Sequence, residues 1–222
     1  MERLRLLLLR HGESASNAHP RAASLPEEQG DMLTPRGEAQ ARAAAVALRR
    51  RRATRLLSSP MRRAQQTAAI VAAELGLEVE THPGIHELRE RGDFGTLSPE
   101  EQRLRRWSEW MSEHADDPEH APPGAESFNT VLARVRRLKA DLEAGEAGQA
   151  VLCVSHGIFI RFFFADSLLG EGFRVRDVRR LWQLRTENCG LSVFEHDEPV
   201  HPADPEIAGW RCRSWMERCW DE

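Results

Sequence analysis

Four cysteines stand at positions 153, 189, 212 and 219, with no close pair and no C-x-x-C among them. That spacing gives no disulfide framework, and a reduced, cytoplasmic setting is the simplest reading. No apolar run is long enough to cross a membrane. The leucines after Arg3 and Arg5 are too few for a signal-peptide core, and they end at Arg10 without a cleavage site. Internal repeats and coiled-coil heptads are absent. Cationic excess is absent too: 31 Lys and Arg face 35 Asp and Glu, a formal charge of −4. This balance argues against general nucleic-acid affinity and leaves room for a local cationic pocket. His82 and His86 lie four apart beside Glu87, but Pro83 and Gly84 break the helix that a paired-histidine metal site needs. No metal and no cofactor is therefore expected. A chain of 222 residues reads as one domain over 1–222.

What is present is organised around Leu6-Leu7-Leu8-Leu9-Arg10-His11-Gly12, a short apolar strand that ends in a cation, an imidazole and a turn. The pattern returns at Ala150-Val151-Leu152-Cys153-Val154-Ser155-His156-Gly157. Two parallel strands delivering a histidine each to one sheet edge would put two imidazoles in one pocket, where open α/β sheets bind ligands. Between them Thr34 reads as an N-cap with Pro35 at the first helical position, and that helix ends near Arg49–Arg52. Residues 55–59 read as a second strand, Pro60 to Leu75 as a helix closed by Gly76, and 77–81 as a third strand. A helix over 98–114 carries Leu104, Trp107, Trp110 and Met111 on one face, a stripe expected to be core. Further helices are expected from Glu126 to about Leu142 and from Ile158 to about Leu169. Residues 191–195 and 210–214 read as paired antiparallel strands. Alternating strands and helices predict a three-layer α/β sandwich around a mostly parallel sheet. The Trp- and Cys-containing C-terminus reads as an edge strand, packing over the site or a dimer contact, so a homodimer stays open.

Arg10-His11-Gly12 with Asn17, and Ser155-His156-Gly157, resemble the histidine phosphatase superfamily, also called phosphoglycerate-mutase-like. Leu33-Thr34-Pro35-Arg36-Gly37 is similar to its L-T-x-x-G helix entry, and the run from Ser58 to Ala68 to its S-x-x-x-R-A-x-Q-T-A segment. Pro123-Gly124-Ala125-Glu126-Ser127 resembles P-G-G-E-S, with alanine for the second glycine. The matches keep the family's order from residue 4 to about 195. The resemblance implies a central sheet with helices on both faces and a cap, here from about 18–32 and 91–124. It also implies the phosphatase branch.

Phosphoryl chemistry suits these residue types. A neutral imidazole is a good nucleophile near pH 7, and a covalent phosphohistidine splits one hard transfer into two. On the family's pattern His11 is the nucleophile, while Arg10, Arg63 and His156 clamp the phosphoryl oxygens and Asn17 adds a donor. Guanidinium suits that clamp because its planar fork grips two oxygens. The family places a proton-donating acid just after the third strand, where two candidates stand: Glu87 in Ile85-His86-Glu87 and Glu90 in Leu88-Arg89-Glu90. Counting from Leu77 favours Glu87. Glu13, Arg36, Arg62 and Glu126 read as capping or surface-pair residues. The expected activity is a metal-independent phosphomonoesterase acting on a small phosphorylated metabolite, with no nucleic-acid or membrane partner. A phosphoglycerate mutase and a non-catalytic phospho-ligand-binding module are the alternatives.

Overall fold

The structure, a computed structural model, describes residues 3–18, 31–89, 117–121, 125–145, 148–197 and 209–219. Most of the expected cap, the 98–114 helix and Glu90 lie outside the described residues. Among those described, six strands form one sheet in the order β3-β2-β4-β1-β5-β6. They are β1 (Leu4–Arg10), β2 (Arg55–Ser58), β3 (Val79–Thr81), β4 (Ala150–Ser155), β5 (Gly190–Asp197) and β6 (Gly209–Arg218). The first four run parallel, and β5 and β6 close one side antiparallel, so the sheet is mixed.

Strand side chains alternate faces, and β1 and β4 bury both. Leu6, Leu8, Val151 and Cys153 enter one apolar cluster, while Leu7, Leu9, Leu152 and Val154 enter the other. Helices α2 (Pro35–Leu48) and α3 (Arg62–Leu75) cover the second face with small side chains: Ala41, Ala44, Ala45, Ala64 and Ala68. Helices α4 (Phe128–Glu143), α5 (Gly157–Leu169) and α6 (Val175–Leu181) cover the first with Val135, Leu138, Phe159, Phe162 and Val178. A four-residue α1 (Ala15–Ala18) follows the first turn. The long helix after β1 thus lies on one face and the helix after β4 on the other, although the two strands are neighbours. That divergence opens a crevice beyond their carboxyl ends, where such sheets bind ligands.

Several elements differ from expectation in their bounds, and one helix is additional. Helix α3 starts at Arg62, because Met61 is extended (ψ 138°) as its N-cap. Strand β3 is shorter than the 77–81 run, since only 79–81 pair with β2. Helix α6 is unmarked in the sequence because its buried Val175, Val178 and Leu181 are interleaved with three exposed arginines that mask the apolar spacing.

Thr34 does cap α2, its Oγ1 accepting the Gly37 N–H at 3.0 Å. This seats the helix start against the turn after β1, backbone to backbone. A methyl group on Gly37 would stand 2.0 Å from the Glu13 carbonyl oxygen, and one on Gly12 2.4 Å from the Gly37 carbonyl oxygen. Gly37→Ala should therefore cost about 3 kcal/mol, the upper range of overpacking. Gly172→Ala, where nothing lies within 4 Å, should be near neutral. Urea midpoints of the two variants check this, and equal midpoints would refute the close-packing account.

Candidate active site

Parallel pairing puts Arg10 of β1 opposite Ser155 of β4, so the residues that follow emerge side by side. The His11 N–H donates to the Ser155 carbonyl at 3.0 Å, and the His11 and His156 ring centroids are 5.0 Å apart. His11 Nδ1 lies 2.7 Å from the Gly12 carbonyl oxygen. That oxygen can only accept, so Nδ1 carries the proton and Nε2 keeps its lone pair. Arg63 Nε donates to this Nε2 at 3.0 Å. His156 Nε2 lies 2.8 Å from Ser59 Oγ, which also accepts the Met61 N–H at 3.3 Å. With one lone pair of that oxygen taken by Met61, we assign the serine proton to Nε2, which makes His156 Nδ1 the protonated nitrogen.

Two buried donors at this spot have no hydrogen-bond partner among the described residues: His156 Nδ1 and Arg10 Nε. Buried polar atoms are almost always satisfied, so each such exception calls for an explanation. Arg10 is aimed by its Nη1, which donates to the Thr186 carbonyl at 2.5 Å. Burial pulls the pKa of His11 well below its usual 6.5, and the nearby Arg63 and Arg10 charges push it the same way against the Gly12 hydrogen bond. His156 is lowered by burial first, then by His11 and the two arginines. Both imidazoles are therefore neutral at pH 7, and three donors, Arg10 Nε, Arg63 Nε and His156 Nδ1, accompany the one lone pair on His11 Nε2.

Arg63 is held in place by residues the sequence reading did not single out. Asp31, buried, takes its Nη1 in an ion pair and accepts the Arg62 N–H at 2.9 Å. Thr67 Oγ1 donates to the Arg63 carbonyl at 2.7 Å and accepts the Gly12 N–H at 3.0 Å, tying α3 to the β1 turn. Asp31 sits in a polar stretch with no pattern to mark it. Thr67 and Ser59 lay within the Ser58–Ala68 run, but their partners are distant in sequence. Arg36 pairs with Glu13 at 3.7 Å near the surface, and Arg62 is exposed, as expected of both.

Glu87 reaches the same crevice from beyond β3. Its Oε1 accepts the backbone N–H groups of Leu88 at 3.0 Å and Ile158 at 3.1 Å, the latter two residues past His156. Its segment is clamped from behind. Ser155 Oγ donates to the Ile85 carbonyl at 2.8 Å, and Arg134 Nη1 to the Gly84 and His86 carbonyls at 2.6 and 3.1 Å. The same arginine forms a bidentate pair with Glu126 at 2.8 and 3.0 Å, and Glu126 exchanges hydrogen bonds with the Arg89 backbone. The capping or surface role expected of Glu126 is therefore corrected. It is buried, Ser127 caps α4, and Glu126 locks the Glu87 loop to that helix. Among the described residues no group of three or more His, Cys, Asp or Glu is arranged to hold a metal ion.

Asn17 stands at the mouth. Its Oδ1 accepts the Ser14 N–H at 3.3 Å and the Asn188 Nδ2 at 3.0 Å. Asn188 belongs to the strap between α6 and β5, anchored where Arg161 donates to the Leu181 and Leu184 carbonyls. Every residue proposed from sequence that the structure describes thus gathers around one crevice, from four separate segments.

Known proteins place this arrangement. A family model described as "Histidine phosphatase superfamily (branch 1)" matches residues 6–202. The chain is 32% identical to the probable phosphoglycerate mutase GpmB of Yersinia enterocolitica over 199 residues, 88% of this chain and 86% of that one. Among solved structures it is similar to a mycobacterial glucosyl-3-phosphoglycerate phosphatase complexed with VO3, with TM-score 0.71, 29% identity and coverage of 95% of this chain and 98% of that one. An alpha-ribazole phosphatase from Shigella flexneri matches with TM-score 0.68 and 26% identity over 96% of each chain. No described helix is long and apolar enough to cross a membrane. With its two strand-end histidines, its guanidinium pair and its ordered motifs in one crevice, the chain belongs to the histidine phosphatase superfamily.

Proposed function

We propose that the protein is a phosphomonoesterase that hydrolyses a small phosphorylated metabolite through a phosphohistidine on His11. The observation that carries this reading is the pair of buried donors, Arg10 Nε and His156 Nδ1, that have no partner among the described residues, beside a lone pair on His11 Nε2. Donors fixed where phosphoryl charge develops need no reorganisation during the reaction. Phosphoryl oxygens satisfy both nitrogens, and the Arg63 N–H that rests on His11 Nε2 moves onto a third oxygen. That frees the lone pair to form the N–P bond as the P–O bond to the leaving group breaks.

Glu87, carrying the proton, gives it to the departing oxygen. It then takes a proton from water, the hydroxide attacks phosphorus, and the N–P bond breaks to release inorganic phosphate and neutral His11. The Nδ1–H to Gly12 bond persists throughout and supports the cationic character of the phosphorylated ring. Arg10, Arg63 and His156 supply the charge and donors, so the steps call on no metal.

The relatives named as probable phosphoglycerate mutases favour a second reading, in which the group returns to the substrate's other hydroxyl. Phosphoglycerate occurs in that name and in the mycobacterial phosphatase's, so 3-phosphoglycerate and its esters are the first compounds to test. We expect release of inorganic phosphate from a panel of phosphorylated metabolites without a bisphosphoglycerate primer. With 3-phosphoglycerate, the assay follows 2-phosphoglycerate and free phosphate with and without primer. Fast primer-dependent isomerisation with negligible phosphate release would replace the phosphatase by the mutase. No turnover of any substrate, nitrophenyl phosphate included, would leave a phospho-ligand-binding module.

A further inference from the structure

We infer that Asn188 is a positioning residue that fixes Asn17 as a phosphate donor, by occupying the oxygen end of its amide. The inference rests on the phosphate-binding reading of Asn17 given above. Asn188 precedes Cys189, whose left-handed backbone (φ 51°) turns the strap into β5. That turn brings the Cys189 N–H to the carbonyls of Arg10 and His11, at 3.1 and 3.3 Å. Asn188 Nδ2 then reaches two acceptors, the His11 carbonyl at 3.1 Å and Asn17 Oδ1 at 3.0 Å. One amide therefore links the nucleophile's backbone to the donor at the mouth.

The consequence is one of polarity. An asparagine amide is nearly the same shape at both ends, so its orientation is set by what each end meets. Asn17 Oδ1 takes two N–H groups, from Ser14 and Asn188, which fills both lone pairs and leaves its Nδ2 as the other end. Without Asn188, the 3.3 Å Ser14 contact is the one among the described residues left to specify the orientation. The amide then spends part of its time presenting an oxygen toward an anion, which repels it. The His11 carbonyl keeps the Cys189 N–H when Asn188 is truncated, so the nucleophile's turn stays tied to β5.

The test is a double-mutant cycle read by binding of inorganic phosphate to the full-length protein. Asn188→Ala should weaken phosphate binding about tenfold, the scale of one hydrogen bond to a charged group. In an Asn17→Ala background the same change should cost less than about twofold, because the amide through which Asn188 acts is gone. Asn188→Asp, matched in shape but only able to accept, should lose more than Asn188→Ala and show the same dependence on Asn17. A purely structural role would lower the melting temperature and weaken binding by the same factor in both backgrounds; that result overturns the inference. So does undiminished phosphate binding in Asn188→Ala or in Asn17→Ala. The phosphatase reading fails separately: a protein that shows this coupling yet hydrolyses no monoester keeps the inference and loses the proposed activity.

Discussion

Replacing His11 with alanine should reduce phosphate release by at least about 10⁴-fold, the scale seen when an enzyme loses its nucleophile and keeps its binding site. The fold should survive, because the His11 N–H to Ser155 bond and the Gly12 contacts belong to the backbone. Wild-type protein quenched during turnover of a phosphorus-labelled substrate should carry acid-labile label, and His11→Ala should carry none. Chelator should leave wild-type activity intact, since the positive charge comes from Arg10 and Arg63. Robust label in His11→Ala would move the nucleophile elsewhere, and complete loss with chelator would bring in a metal.

The environment of His11 sharpens that expectation. A nucleophilic imidazole must be unprotonated, and burial with two guanidinium groups holds it so well below pH 6.5. The sign for stability runs against the enzyme in acid. The unfolded chain takes up a proton near pH 6.5 and the folded one only further down, so between those values falling pH favours unfolding. His156, lowered by the same causes, adds to the trend. The site is thus tuned for a free lone pair at the expense of acid stability.

Strand ends were legible in the sequence because their signal is local. Leu6–Leu9 and Ala150–Val154 are apolar without a break, as strands covered on both faces must be. His11 and His156 follow them directly, so placing the strands placed the histidines. Thr34, Pro35 and Gly37 spelled a helix start whose capping the structure reproduces. The supports for the site are of another kind. Asp31 holds Arg63, Arg134 and Glu126 hold the Glu87 loop, and Asn188 meets Asn17 across a separation of 171 residues. Each joins segments distant in sequence through a polar side chain, with no period or spacing to announce it. Glu126 shows the limit most plainly. Its position before a helix suggested a cap, but burial beside Arg134 decided its use.

Glu87 is where a leaving-group experiment discriminates most. A general acid matters when the departing oxygen is too basic to leave unaided, and is worth about 10²–10⁴-fold. Glu87→Gln keeps the shape, and the Leu88 and Ile158 N–H groups still find an amide oxygen to donate to. What disappears is the exchangeable proton. We therefore expect a loss of about 10²-fold or more on an alkyl phosphate and a much smaller one on nitrophenyl phosphate, measured as kcat/KM on both. Arg134→Met should show a muted version of the same contrast, because it releases the Gly84 and His86 carbonyls that hold the loop while leaving the acid itself in place. Glu90→Gln is the comparison that tests the register, since Glu90 lies three residues further on and outside the described residues. It should lower both substrates alike or neither. If Glu90→Gln gives the leaving-group-dependent loss and Glu87→Gln does not, the acid is Glu90, and the carboxylate held at the start of α5 only anchors the loop.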